Sequence, residues 1–147
     1  MYKNILVPTD GSQLSVRAIQ AAVKLAKSTG ASVTGLFVAP TATPILFEGI
    51  FPVGYVTPEE HEAMTEKAAA RHLGVIEKAA AAAGVSCECV LVTGDFPADA
   101  ILQTAMKHKC DLIFMASHGK KGVSALLLGS ETQKVLAHAK IPVLVHR

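Results

Sequence analysis

The chain has 147 residues, half of them hydrophobic and 18% of them charged, and its formal net charge is +2 at neutral pH. This length suits one domain, residues 1–147, and no apolar run reaches the roughly 18 residues of a membrane span. The weak positive charge is spread along predicted helices, which argues against nucleic-acid binding, and the N-terminus lacks the long apolar region of a secretion signal, so we expect a cytoplasmic protein.

Five short apolar runs alternate with four helical patterns, which is typical of a parallel β-sheet covered by helices. The predicted strands are residues 3–7, 32–39, 85–92, 111–116 and 142–146. The first helix begins after Ser12, a favourable N-cap, and ends before Gly30. The second begins at a capping box that starts at Thr57 and ends before Gly84.

The last two helices are marked less uniformly. The third is predicted from Pro97 to about Lys109. The sequence Ser-Glu-Thr-Gln at 130–133 predicts another capping box at the start of the fourth helix, which ends before Pro142.

The polarity of the strands suggests their order in the sheet. The third strand alternates in polarity and the fifth contains Pro142, which favours edge positions, whereas the first and fourth are apolar throughout. With right-handed crossovers, these features predict an α/β fold with a single open parallel five-stranded sheet of order 3-2-1-4-5 and helices on both faces. Ligands then bind beyond the carboxyl ends of strands one and four, where Pro8, Thr9 and Asp10 face the segment from Ala116 onward.

The segment after the fourth strand has the composition of a phosphate cradle. It reads Ala-Ser-His-Gly at 116–119, then nine residues, then Gly129 and Ser130 at the start of a helix. Glycines let main-chain N–H groups approach an anion, and a helix N-terminus supplies unpaired donors. The Ser130 hydroxyl can cap the helix, meet a phosphate, or do both, while Lys120 and Lys121 either offset phosphate charge or are hydrated. We interpret the chain as a nucleotide-binding protein.

Two residues near this segment allow more than one interpretation. Asp10 either accepts hydrogen bonds from ribose hydroxyls or serves as a turn residue. His118 has no carboxylate beside it in the sequence and is interpreted as positional, because this pattern is weak evidence for catalysis. Dinucleotide, P-loop and serine-hydrolase motifs are absent from the sequence, and we predict no catalytic residue.

The three cysteines are Cys87, Cys89 and Cys110. Strand spacing places the first two on one face, and we interpret all three as small buried side chains. His108 lies near Cys110, but the sequence completes no tetrahedral ligand set, so no metal site is predicted.

From Lys3 to Arg147 the chain resembles the universal stress protein family, whose ATP-binding members carry Gly-x-x-Gly, nine residues, then Gly-Ser/Thr. Gly119, Gly129 and Ser130 match this motif at the same spacing, whereas Ala116 replaces its first glycine. The added methyl group would be strained if this position needed a positive φ, which would weaken binding. The resemblance implies an adenine nucleotide alpha hydrolase-like fold that binds ATP, ADP or AMP, with Mg2+ on the phosphates.

The resemblance also implies roles for individual residues. The nucleotide-binding positions are Pro8, Thr9, Asp10, Val38, Met115, Ala116, His118, Gly119, Gly129, Ser130 and Thr132. Those at 8–10 border the base and ribose, the main chain at 38 meets adenine, those at 115–116 lie near the ribose, and those at 119, 129, 130 and 132 face the triphosphate. Family members dimerise through the last strand, so a homodimer would cover the apolar edge Pro142-Val143-Leu144-Val145.

Three functions remain open. The first is a regulatory module of the stress response whose ATP occupancy acts on an unidentified downstream protein. The second is a slow or partner-dependent ATPase, and the third is a dimeric family member without nucleotide, for which Ala116 is the argument. A cradle without an evident nucleophile or base favours the first. Residues 40–56 form an unusually long connection, which we hypothesise to be a mobile cover beside the adenine end.

Overall fold

Five parallel strands form one open sheet, in the order predicted from the sequence. In a computed structural model that describes residues 1–41, 46–48, 51–54, 56–120 and 127–147, the strands are β1 (Asn4–Thr9), β2 (Ser32–Ala39), β3 (Leu46–Glu48), β4 (Phe51–Gly54), β5 (Cys87–Thr93), β6 (Leu112–Ala116) and β7 (Val143–His146). The helices are α1 (Gln13–Thr29), α2 (Pro58–Ala83), α3 (Pro97–Lys107) and α4 (Ser130–His138). The sheet order is β5-β2-β1-β6-β7, which confirms the predicted order once the hairpin strands β3 and β4 are set aside.

The two faces of the sheet are covered by different helices. Alternate side chains of β1 point to opposite faces. Ile5 and Val7 pack with buried residues of α1 and α2, whereas Leu6 packs with Ile101 of α3 and Val135 of α4. Burying both faces explains why the central strands are apolar throughout. Among the helices that the structure describes, none combines the length and apolarity needed to cross a bilayer.

The ends of α1 and α2 confirm the capping predictions. The Ser12 side chain accepts a hydrogen bond from the amide of Ser15, and Gly30 ends α1 with a φ of 73°. At α2, Thr57 and Glu60 form the reciprocal capping box, and the left-handed residue after the helix is Gly84. The boundaries of α3 and β5 are shifted slightly. In particular, α3 ends at Lys107 and not at Lys109, which adopts a φ of 54°.

The capping box predicted at the start of α4 is wrong. The N-cap is Gly129, no side chain caps it, and Ser130 is already helical. Gln133, whose side chain was expected to close the box, donates from Nε2 to the Leu128 carbonyl at 2.8 Å. Glu131, inside the predicted box, accepts a hydrogen bond at Oε2 from the Ala98 amide at 2.9 Å. Phe96, the N-cap of α3, has no side-chain oxygen to offer that helix. Glu131 of α4 therefore satisfies an amide at the start of α3.

The connection between β2 and α2 contains a β-hairpin, where we predicted only a long loop. Strands β3 and β4 pair antiparallel, with an irregularity in register between Leu46 and Phe47. Prolines and glycines in this stretch hid the short strands, because both residue types are depleted in strands. Residues 42–45, 49–50 and 55 lie outside the described part, so the hypothesis of a mobile cover stays a prediction.

Candidate functional site

The turn after β1 and the segment after β6 are joined through the carboxylate of Asp10. Its Oδ1 accepts a hydrogen bond from the Ser12 amide at 3.0 Å, and its Oδ2 accepts one from the Lys120 amide at 2.8 Å. Burial alone would raise the pKa of Asp10, but the hydrogen bonds from Ser12 and Lys120 outweigh it and hold that pKa below its usual value. The carboxylate is therefore ionised at neutral pH and acts as an anchor between two loops.

Gly119 allows this anchor to form. A Cβ atom built on Gly119 would collide with the Asp10 carboxylate. Gly129 is also close to its neighbours, because a Cβ there would stand 3.0 Å from the Cα atom of His118. Gly119 thus makes room for a carboxylate, and Gly129 lies where two main-chain segments meet closely.

The N-terminus of α4 provides the donors expected of a phosphate cradle. The first intrahelical bond runs from the Gln133 amide to the Gly129 carbonyl at 3.0 Å, so the amides of Ser130, Glu131 and Thr132 precede the helical hydrogen-bond ladder. These amides, with the positive end of the helix dipole, suit an anion.

Two hydrogen bonds hold this helix start against the end of β6. The Gly129 amide donates to the Ser117 carbonyl at 2.8 Å, and the buried Thr132 hydroxyl donates to the Ala116 carbonyl at 3.1 Å. The Gly129 amide and the Thr132 hydroxyl are therefore already bonded within the protein. We infer that these two residues shape the cradle, and that the amides of the first helical turn are its free donors.

Ala116 shows no sign of the strain considered from the sequence. Lys109 is the only non-glycine residue with a positive φ in the part of the chain that the structure describes. Alanine at position 116 therefore needs no left-handed backbone, and its carbonyl takes part in fixing α4.

The residues predicted to contact adenosine lie at the carboxyl ends of adjacent strands. Pro8 and Thr9 pair in register with residues of β2, and Val38 follows in that strand. The Thr9 hydroxyl is already bonded to the Ser15 hydroxyl at 2.8 Å, and the Met115 side chain is buried in the core. Because these two side chains are already engaged within the protein, Thr9 and Met115 can contact a ligand only through main-chain atoms.

His118 faces a cavity of about 440 Å³ on the α1 side of this segment. The cavity is lined by Ser12, Gln13, Leu14, Arg17, Ser117, His118, Gly119 and Arg147. The Nδ1 atom of His118 lies 3.2 Å from the Ser117 hydroxyl. Lys120 is exposed, whereas Lys121 lies outside the described residues.

His72 of α2 belongs to the surroundings of the site and was not found by sequence reasoning. Gly11, with a φ of 80°, has no room for a Cβ atom because the His72 ring covers it. The same ring lies 5.1 Å from that of Phe37, centroid to centroid. Burial, and then the charge of Lys120, lower the pKa of His72. Its spacing from Ala69 and Ile76, on the buried stripe of the helix, is the signal that could have identified it.

The cysteines are less uniform than predicted. Cys110 is buried, and burial raises its pKa, but Cys87 and Cys89 are only partly buried. Across the described residues, no three histidine, cysteine or acidic side chains form a group suited to a metal ion. The prediction that the chain has no metal site stays a prediction.

Comparison with known proteins places this geometry in context. The model of the Universal stress protein family matches residues 1–147. A universal stress protein of Thermus aquaticus is 36% identical, with both chains covered completely, and universal stress protein MJ0531 of Methanocaldococcus jannaschii is 34% identical over 99% of this chain and 82% of its own length.

Two solved structures are similar to this chain over almost its whole length. The protein MJ0577, whose structure was used to assign a biochemical function, has a TM-score of 0.77 and 28% identity, covering 99% of this chain and 96% of its own. A universal stress protein in complex with cAMP has a TM-score of 0.67 and 26% identity, covering 98% of this chain and 95% of its own.

Proposed function

Because this chain belongs to the universal stress protein family, we propose that it binds an adenine nucleotide, ATP in particular, and that nucleotide occupancy regulates its action on another protein. The observation that carries the proposal is the Asp10 anchor. It brings the turn after β1 beside the segment leading to the free amides of α4. This arrangement supports adjacent binding sites for the adenosine and for the phosphates.

The phosphate end is supported by the chemistry of the cradle. The amides of Ser130, Glu131 and Thr132 present donors at a helix N-terminus, where partial positive charge is greatest. Mg2+ would offset the negative charge of the phosphates, and we assign it no protein ligand.

The adenosine end is supported by the sheet edge and by a relative. The ends of β1 and β2 present main-chain groups beside Asp10. The cAMP complex of a universal stress protein that is 26% identical shows that a protein of similar fold holds an adenine nucleotide. ADP and AMP share the adenosine part, so the proposal extends to them.

Calorimetry tests this proposal directly. We expect ATP with Mg2+ to release heat on titration into the purified chain and to saturate at a single nucleotide per chain. Mass spectrometry of small molecules released from freshly purified protein should identify an adenine nucleotide. The absence of both heat and nucleotide would contradict the proposal.

We further propose a homodimer formed through β7. This strand pairs with β6 on one side, and the side chain of Leu144 is 38% exposed. An unpaired apolar edge invites pairing with another strand, and a second copy of β7 would cover it. Light scattering should give twice the 15.4 kDa mass of one chain, and Leu144→Lys should shift the protein toward the single-chain mass.

A further inference from the structure

Two cysteines of the edge strand β5 form a thiol pair away from the proposed nucleotide site. Cys87 and Cys89 occupy alternate positions of the strand, so their side chains share one face. The two Sγ atoms are 3.9 Å apart, and both residues are half-buried and hence accessible from the sheet edge.

The neighbouring strand provides the space for this pair. Gly35 of β2 is the register partner of Cys89. A Cβ atom on Gly35 would stand 2.9 Å from the Cys89 sulfur and 2.9 Å from Ile76 of α2. The absence of a side chain at position 35 therefore lets the thiol lie between β2 and α2. The hydrogen bond between the two thiols lowers the pKa of Cys87 and raises the pKa of Cys89, and the negative charge of Glu77 acts to raise both pKa values.

The spacing suits a shared metal ion better than a disulfide. Sulfur atoms of a disulfide are about 2.0 Å apart, and Cα atoms two residues apart in a strand are separated by about 6.6 Å, near the upper limit of about 6.8 Å for a disulfide. By contrast, two metal–sulfur bonds of about 2.3 Å bridge sulfurs 3.9 Å apart at an angle of about 115°. This angle lies between the tetrahedral and the trigonal values, so the spacing fits a metal ion in either coordination.

The number and type of ligands at Cys87 and Cys89 indicate which metal ion the pair suits. Structural zinc takes four protein ligands, and among the described residues no group of three or more histidine, cysteine or acidic side chains is suited to hold a metal ion. Thiolates select soft cations, of which Cu(I) accepts a low coordination number. Against the prediction from the sequence that the chain has no metal site, we propose that Cys87 and Cys89 form a binding site for Cu(I), with an external small-molecule thiol completing the coordination.

The binding step involves no change of oxidation state. Cu(I) arrives with the external thiol already bound as its thiolate, and that S–Cu bond is kept. At the protein two S–H bonds break, two S–Cu bonds form and two protons leave to solvent, while copper remains Cu(I) throughout. The site lies on β5, so the proposal is independent of nucleotide binding.

The test is a titration of the whole chain with Cu(I), without oxygen, against a chromophoric Cu(I) chelator and in the presence of a small thiol. The wild type should bind a single Cu(I), and Cys87→Ser and Cys89→Ser should each weaken binding at least tenfold. Cys110→Ser is the matched control, because Cys110 belongs to the core cluster on the other face of the sheet, and it should bind as the wild type does.

A second measurement uses the wild type alone, so it does not depend on the folding of a variant. Alkylation counted by intact mass should show that Cu(I) protects Cys87 and Cys89, and peptide mapping should locate both. The proposal would be overturned if Cu(I) protected neither cysteine from alkylation, or if Cys87→Ser bound Cu(I) as tightly as the wild type does. It would also be overturned if the wild type bound Zn2+ as tightly as Cu(I). An intramolecular disulfide forming ahead of Cu(I) uptake would overturn it as well.

Discussion

The amide of Lys120 donates to Oδ2 of Asp10 at 2.8 Å, across 110 positions of the sequence. This hydrogen bond ties the segment after β6 to the turn after β1, the two central strands between which the winding of the sheet reverses. The crevice is thus held at one carboxylate, and the consequences of changing that carboxylate can be measured.

Asp10→Ala should weaken nucleotide binding at least tenfold and lower the free energy of unfolding by about 2 kcal/mol, since charged hydrogen bonds to two amides are lost. Calorimetry and urea unfolding measure the two effects. The matched control is Asp111→Ala. Asp111 accepts hydrogen bonds from the amides of Lys3 and Asn4 at the opposite end of the sheet. Asp111→Ala should lower the free energy of unfolding by a similar amount and leave nucleotide affinity unchanged. An equal loss of nucleotide affinity in both variants would refute the anchor role of Asp10.

Acid should remove the contribution of Asp10 to stability. Its folded-state pKa lies below the usual 3.8, so the unfolded chain takes up the proton first as pH falls. The stabilisation is fully present well above pH 3.8 and is lost as pH falls through 3.8 toward the folded-state pKa. Urea midpoints of the wild type and Asp10→Asn should therefore differ near pH 7, and the difference should shrink as pH falls below 3.8. A constant difference across this range would contradict the assignment.

Gly119→Ala should displace the Asp10 carboxylate, because the added methyl group occupies its position. We expect nucleotide affinity to fall at least tenfold and stability to fall by about 1–3 kcal/mol, the usual cost of overpacking. The control is Gly74→Ala in α2, where an added Cβ meets nothing within 4 Å. That change should raise helix stability by about 0.5–1 kcal/mol. Unaltered nucleotide affinity in Gly119→Ala would show that this glycine is not needed for the site.

Glu131→Ala should destabilise the chain by about 1 kcal/mol, because the Ala98 amide at the start of α3 loses its acceptor. Glu131 also pairs with Lys134 at 3.2 Å on the surface. Lys134→Ala removes only that exposed ion pair and should cost at most about 0.5 kcal/mol. Urea unfolding of the two variants separates the contribution of the Glu131–Ala98 hydrogen bond from that of the ion pair. An equal loss in the free energy of unfolding would argue against Glu131 as a cap of α3.

The sheet order could be predicted because each strand carries its own polarity pattern. Alternation in β5 and Pro142 before β7 mark the edges from local sequence alone. The glycines of the cradle could be identified from a local motif, since Gly119 makes room for the Asp10 carboxylate and Gly129 for the main chain of His118.

The features that sequence reasoning missed depend on contacts between distant segments. Glu131 lies within a Ser-Glu-Thr-Gln sequence that resembles a local capping box. Only the packing of α3 beside α4 shows that its carboxylate reaches the amide of Ala98. His72 likewise lies on a helix that periodicity places correctly, but its position over Gly11 requires the docking of that helix.

His72 should make stability depend on pH near neutrality. Burial, followed by the charge of Lys120, holds its pKa below the usual 6.5, so the unfolded chain is protonated first as pH falls. Stability therefore rises with pH between the folded-state pKa and about 6.5. The urea midpoint of the wild type should fall between about pH 7.5 and 5.5 by more than that of His72→Gln.

The control for this experiment is His138→Gln, at the exposed end of α4. His138→Gln removes an exposed imidazole, so it should alter the curve of urea midpoint against pH less than His72→Gln does. Nucleotide affinity measured over the same range adds a second readout, since His72 covers Gly11 beside the Asp10 anchor. If the curves of urea midpoint against pH for His72→Gln and His138→Gln both match that of the wild type, burial does not lower the pKa of His72.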